Sequence, residues 1–137
     1  MFHHILVPLD FSSKDRAALE AAVAIARRSG LTLVHVIQGV EHIGIDELQA
    51  FYDELRNKAE ERIQPIAARL AEDQLSVEYE LSIGRPAAEI LRIAHEHGVD
   101  LIILSSHKID PQRPTEGWGT VSHQVSILAQ CPLMLVK

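Results

Sequence analysis

A chain of 137 residues with 47% apolar residues is long enough to bury its own core, and we expect one globular domain over residues 1–137. Its formal net charge of −6 excludes a broadly basic surface, so we expect no nucleic-acid partner and no anionic membrane partner. One cysteine excludes an internal disulfide. The N-terminal residues lack the pattern of a signal peptide, and no apolar run is long enough to span a membrane, so we expect a cytoplasmic protein.

The chain begins with a short buried strand followed by a helix. Ile5–Val7 is apolar and rich in β-branched residues, which predicts a strand covered on both faces, and Pro8 ends it because proline has no N–H to donate. Ser12 or Ser13 is expected to cap the next helix. That helix is rich in alanine and leucine, and we expect it to end at Gly30.

A second strand and a long helix follow. Residues 31–37 are apolar and β-branched and predict a strand, and residues 38–44 predict a loop. Apolar residues then recur every three or four positions from 45 to 70, which predicts an amphipathic helix. Pro65 removes a backbone hydrogen bond inside this helix, so we expect a kink there.

The next segment repeats the strand-then-helix order. Residues 77–83 alternate polar and apolar side chains, as a half-exposed edge strand does. Pro86 suits the first position of a helix that ends at Gly98. Residues 101–104 are all apolar and predict a central strand.

A short helix over residues 119–129 and a final strand over residues 132–136 complete the pattern. Strands therefore alternate with helices along the whole chain. This order predicts an α/β fold, a doubly wound five-stranded parallel sheet with helices on both faces in a single domain. Ligands of such sheets bind at the carboxyl ends of the strands, where the winding direction reverses.

Five segments of the chain match a known pattern: residues 5–12, 35–36, 84–91, 99–107 and 131–136. Each matching segment is a weak signal alone, but their order and spacing are specific. Together the segments resemble the universal stress protein family over the whole length of the chain. The resemblance implies a homodimer that pairs through the terminal strand 132–136, and it implies function as a small stress-response or signalling module with a regulatory protein partner.

Family members that bind ATP resemble one another in a loop written G-x2-G-x9-G-[S/T] after the fourth strand. This sequence has Ser105 and Lys108 in place of the first two glycines, and ten residues, 109–118, before Gly119. A side chain at a position that needs positive φ costs about 1 kcal/mol or more. The Lys108 ammonium could instead neutralise a phosphate. Gly119-Thr120 retains the end of the pattern, where helix N–H groups face a phosphate.

By this resemblance, one set of residues would hold a nucleotide, with ATP and Mg²⁺ as the candidate cofactor. Asp10 would lie near the ribose or a phosphate-bound metal, and Val36 would offer its backbone to the adenine edge. The same Asp10 could instead only cap the turn before the first helix. The set is Pro8, Leu9, Asp10, Val36, Ser105, His107, Lys108, Gly119, Thr120 and Val121.

Two functions of different class remain open from the sequence. The first is a module that acts as a dimer through protein partners and has a degenerate nucleotide loop. The second is a switch that binds ATP or AMP with little or no turnover. We expect no catalytic residues, because the G-x-S-x-G elbow of a nucleophilic serine is absent, and no metal-only site, because the histidines lack zinc-pair spacing.

Overall fold

The computed structural model describes residues 2–39, 45–106, 112 and 120–137. Five parallel strands form one sheet in the order β3-β2-β1-β4-β5. The strands are β1 (His4–Pro8), β2 (Gly30–Gln38), β3 (Ser76–Gly84), β4 (Leu101–Ser105) and β5 (Leu133–Val136). The helices are α1 (Asp15–Ile25), α2 (Gln49–Glu72), α3 (Pro86–Glu96) and α4 (Val121–Leu128), with a 3-10 helix at Ile45–Leu48. The predicted fold class is confirmed.

Alternating side chains of the central strands build a core on each face of the sheet. On one face, Ile5 and Val7 of β1 pack with α1 and α2. On the other face, Leu6 of β1 and Ile102 of β4 pack with α3 and α4. Both central strands are therefore apolar at every position that faces a helix, which is why they read as unbroken apolar runs in the sequence.

The strand order reverses between β1 and β4. From β1 the chain winds outward through β2 to the edge strand β3, and it then returns to β4 on the other side of β1. This places the carboxyl ends of β1 and β4 beside each other with no helix between them. A crevice at this position is the usual ligand site of a doubly wound sheet.

Two helix boundaries differ from the predictions. Helix α1 ends at Ile25, and Gly30 opens β2, where its N–H donates to the carbonyl of His3 at 2.9 Å. Neither Ser12 nor Ser13 caps α1, since its N-cap residue is Lys14 and no side chain caps the helix. The Asp15 carboxylate instead accepts hydrogen bonds from the loop before the helix.

Helix α2 begins at Gln49, after the 3-10 helix, where the sequence predicted a helix from residue 45. The remaining boundaries lie close to the expected positions. Pro86 occupies the first turn of α3, and Gly98 has a φ of +63° after that helix. Helix α2 continues through Pro65. Helix α4 begins at Val121, and β5 begins at Leu133. No helix in the described parts of the chain combines the length and apolar character that crossing a membrane requires.

Candidate functional site

A cleft lies at the carboxyl ends of β1, β2 and β4, at the reversal of the strand order. Its cavity volume is about 290 Å³. That value is close to the lower end of small-molecule sites. The lining residues in the described part of the chain are Pro8, Leu9, Asp10, Lys14, Val34, His35, Val36, Pro86, Ile90, Leu104, Ser105, Ser106, Thr120, Val121 and Ser122.

The cleft brings together most of the residues that the sequence singled out. These are Pro8, Leu9, Asp10, Val36, Ser105, Thr120 and Val121. They come from the ends of three strands and the start of α4, so the fold makes neighbours of residues more than a hundred positions apart. The other three predicted residues, His107, Lys108 and Gly119, lie outside the described residues. So does Trp118, which is the single tryptophan of the sequence.

The set predicted from the sequence omits several residues that line the same cleft. Lys14 lies at the N-terminus of α1, and a cation at the start of the helix after the first strand was a signal that could have found it. His35 precedes Val36, so its place beside the site followed from the strand assignment. Ser106 and Ser122 extend the two polar segments that were already identified.

The loop between β1 and α1 is held by hydrogen bonds to its backbone. The N–H of Leu9 donates to the carbonyl of Val34 at 2.7 Å. The carboxylate of Asp15 accepts from the N–H of Asp10 at 3.3 Å and of Phe11 at 2.7 Å. Phe11 has a φ of +64°, which few non-glycine residues adopt. Asp15 therefore stabilises an unfavourable backbone turn.

Two neighbouring carboxyl groups, Asp10 in this loop and Asp15 in the first turn of α1, have opposite pKa shifts. Burial raises the pKa of Asp10, but hydrogen bonds from the hydroxyl and N–H of Ser12 outweigh it, and the net pKa is below the usual value. Burial, followed by hydrogen bonding to the Asp10 carboxyl, raises the pKa of Asp15 to about 6. Near neutral pH the cleft therefore contains the negative charge of Asp10.

The opposite side of the cleft is the N-terminus of α4. Thr120 is the N-cap residue, and its hydroxyl accepts from the N–H of His123 at 3.3 Å. The hydroxyls of Thr120 and Ser122 lie 3.3 Å apart. A helix N-terminus carries partial positive charge and exposed N–H donors, so this end of the cleft suits an anionic group.

The β2 side of the cleft is lined by Val34, His35 and Val36 and extends beyond the end of β1. The β1–β2 pairing stops at Pro8 with Val34. The backbone N–H and C=O of Val36 point to the same side of β2 as those of Val34, where β1 has already ended. Val36 and Pro86 are half-buried and offer an apolar surface beside these groups. Such a surface suits a flat, partly polar ring.

The described residues contain no group of three or more histidine, cysteine or carboxylate side chains arranged to hold a metal ion. Asp10 is the only carboxylate among the described residues that line the cleft. One monodentate carboxylate fits a Mg²⁺ ion that is held mainly by substrate phosphates. The donor set is therefore compatible with a nucleotide-borne metal.

The fold and the cleft define a doubly wound α/β protein with a cleft at the switch point of its sheet. The family model for "Universal stress protein family" matches residues 1–137. The chain belongs to this family.

Individual relatives agree with this assignment. Universal stress protein YxiE of Bacillus subtilis is 31% identical over 153 residues, covering 100% of both chains. Universal stress protein MJ0577 of Methanocaldococcus jannaschii is 31% identical over 156 residues, covering 100% of this chain and 96% of the relative. The solved structure of MJ0577 matches with a TM-score of 0.79 at 30% identity, covering 100% of this chain and 96% of that one.

A universal stress protein from Archaeoglobus fulgidus was solved in complex with dAMP. Its structure matches with a TM-score of 0.74 at 21% identity, and the match covers 98% of both chains. At this identity the likeness shows the shared fold.

Proposed function

We propose that this chain is a non-catalytic stress-response module that acts as a homodimer on a protein partner. We propose further that its cleft binds the nucleoside end of an adenine nucleotide, with weakened contacts to the polyphosphate. The observation that carries the proposal is the cleft at the switch point, which has an apolar side along β2 and a polar helix N-terminus opposite. A relative with the same fold binds dAMP.

The nucleoside contacts are supported by residues that the family resemblance and the geometry both select. Val36 presents its backbone beyond the end of β1, in reach of a base that rests on the half-buried Pro86. Asp10 is ionised near neutral pH, so its carboxylate is an acceptor for ribose hydroxyls.

The weakened phosphate contacts are supported by the sequence at the end of β4 and in the segment that follows it. Ser105 and Lys108 occupy the positions where ATP-binding members have glycine, so fewer backbone N–H groups can wrap around a phosphate. Lys14 and the N-terminus of α4 remain as positive groups at the cleft. These two separate positive groups can contact one phosphate, whereas binding three phosphates is favoured by a backbone that wraps around them.

The absence of turnover is supported by the roles of the cleft hydroxyls. Ser106 Oγ accepts from the Lys137 ammonium at 3.2 Å, and Thr120 caps α4. The Nδ1 atom of His35 donates to the carbonyl of Leu9 at 2.8 Å, which fixes the ring. These groups are used for structure, whereas hydrolysis needs a base aimed at water or at a nucleophile.

The dimer is supported by the surface around β5. This strand pairs with β4 on one side and forms an edge of the sheet. Met134 on the strand is 37% exposed, and Ile127 and Leu128 on α4 are 65% and 60% exposed. An apolar edge strand is prone to pairing, and a two-fold interface is the commonest way of covering it.

Calorimetric titration with adenosine, AMP and ATP-Mg tests the nucleotide part of the proposal, with Trp118 fluorescence as a second signal. We expect adenosine and AMP to bind within about tenfold of ATP, since contacts that favour polyphosphate by more than about 1.4 kcal/mol would exceed this ratio. ATP that binds a hundredfold more tightly than adenosine would instead establish an ATP-dependent switch. No binding of any of the three at millimolar concentration would overturn the nucleotide proposal.

Two substitutions at one position separate the effect of the missing glycine from the effect of the charge. Lys108→Gly restores the family residue, whereas Lys108→Ala only removes the ammonium. We expect Lys108→Gly to tighten ATP binding and to leave adenosine binding unchanged. Equal effects of the two variants on ATP would show that the backbone at this position is irrelevant.

A further inference from the structure

The β1–α1 loop separates the cleft from a second cavity on the outside of the molecule. Leu9, Asp10 and Lys14 face the nucleotide cleft. Phe11 and Asp15 face the second cavity, which we call the α1–α2 groove and which Leu19, Arg62, Ile66 and Arg69 also line. A change on the groove side of this loop can therefore reach the cleft through only a few residues.

Three side chains form a stack that crosses this boundary. The Phe11 ring lies on the His35 ring, with centroids 4.2 Å apart and planes tilted by 33°. The Arg62 guanidinium carbon lies over the same Phe11 ring, 4.7 Å from its centroid. His35 lines the cleft, and Arg62 lies in the groove on α2.

Hydrogen bonds fix both ends of the stack to the backbone of the same loop. An Nη atom of Arg62 donates to the carbonyl of Phe11 at 3.0 Å. The Nδ1 atom of His35 donates to the carbonyl of Leu9 at 2.8 Å. Asp10, whose carboxylate lines the cleft, is the residue between these two carbonyls.

The loop needs such support because of its backbone conformation. Phe11 at φ +64° lies in the left-handed region, which disfavours a residue with a bulky side chain. Strained residues of this kind persist where their surroundings hold them, and they concentrate at ligand sites. Arg62 is exposed, and its guanidinium contacts both the Phe11 ring and the Phe11 carbonyl.

We propose that Arg62 is a positioning residue for the nucleotide cleft. It acts through Phe11, which sets the place of the His35 ring and of the Asp10 backbone, although its own side chain lies outside the cleft. The expected effect of Arg62 on nucleotide affinity rests on the proposed function. Its expected effect on the position of the His35 ring rests on geometry alone.

The test compares Arg62→Ala and Arg62→Lys with the control Arg69→Ala. Arg69 lies on the same helix and lines the same groove. Two quantities are measured: the His35 ring resonances in the ligand-free protein, and the affinity for AMP by calorimetry. Loss of a cation–π contact and one hydrogen bond should weaken AMP binding roughly five- to tenfold in Arg62→Ala.

Arg62→Ala should also shift the His35 resonances, because the Phe11 ring current changes when the ring moves. Arg62→Lys keeps a cation over the ring and should recover part of both signals. Arg69→Ala should leave both unchanged. Unaltered His35 resonances in Arg62→Ala would overturn the proposal, as would unaltered affinity in a protein that binds AMP. If the wild type binds no nucleotide, the proposed function fails, and the resonances still decide whether Arg62 positions the loop.

Discussion

At the scale of single residues, Asp15 is distinctive because it is the only charged residue among the described residues that is buried. It is 6% exposed, yet it is a carboxylate at the start of a helix. Its two oxygens accept from consecutive N–H groups of the strained loop. The residue thus combines a structural role with the desolvation of a charge, which is unfavourable unless partners compensate for it.

This combination predicts a pH dependence of stability. The pKa of Asp15 is about 6 in the folded chain against an ordinary value of 3.8, so between these values the folded state keeps a proton that the unfolded state has released. The free energy of unfolding contributed by Asp15 should therefore fall as pH rises from about 4 to 6, by an amount on the order of 2 kcal/mol. Asp10 contributes with the opposite sign, because its lowered pKa stabilises the fold above its ordinary value.

Urea denaturation from about pH 4 to 8 measures this effect in the wild type and in Asp15→Asn. The variant keeps an oxygen acceptor but cannot ionise, so its stability should lose the decline that Asp15 causes. Asp53→Asn, on the exposed face of α2, is the matched control and should follow the wild type. Parallel pH profiles for Asp15→Asn and the wild type would contradict the assigned pKa shift.

At the scale of secondary-structure elements, the sequence predicted the strands better than the helix ends. β1 and β4 are buried on both faces, so their apolar runs leave little ambiguity. The predicted serine cap of α1 was wrong, because the loop before the helix is held by Asp15, a residue already inside the helix. The prediction that α1 ends at Gly30 was wrong, because Gly30 already belongs to β2 and pairs with His4 in the sheet.

The candidate site also contains residues that the sequence could predict and contacts that it could not. Residues at strand ends, such as Asp10 and Ser105, were predictable because parallel strands place their carboxyl ends together. The stack of Phe11 on His35 was not predictable, because it depends on the backbone turn at Phe11. The contact with Arg62 joins residues 51 positions apart and follows only from how α2 packs over the loop.

The N-terminus of α4 permits a direct test of one element. The Thr120 hydroxyl caps this short helix, so Thr120→Ala should lower the free energy of unfolding by about 1 kcal/mol. The same change should weaken AMP binding, because the helix N-terminus faces the cleft. Thr120→Ser keeps the hydroxyl and is the matched control for both denaturation and calorimetry. If Thr120→Ala binds AMP with the same affinity as Thr120→Ser, α4 makes no contact with the phosphate.

At the scale of the whole molecule, the two edges of the sheet differ in character. The β3 edge carries the carboxylates Glu78 and Glu80, and the latter lies 3.3 Å from the imidazole of His97. Charges on an edge strand oppose pairing with another chain. The β5 edge, Leu133–Val136, is apolar throughout. Assembly through β5 therefore meets less electrostatic opposition than assembly through β3.

A charge placed on the β5 edge should consequently disrupt the proposed homodimer. Met134→Lys introduces an ammonium that would be buried at a two-fold β5 interface and would face its own copy, so the dimer dissociation constant should rise at least about tenfold. Sedimentation velocity over a concentration series measures the change. Phe51→Lys is the matched control, because Phe51 is an exposed apolar residue, 49% accessible, on α2. A dimer that survives Met134→Lys but dissociates in Phe51→Lys would place the interface on α2 and leave β5 free for a different protein partner.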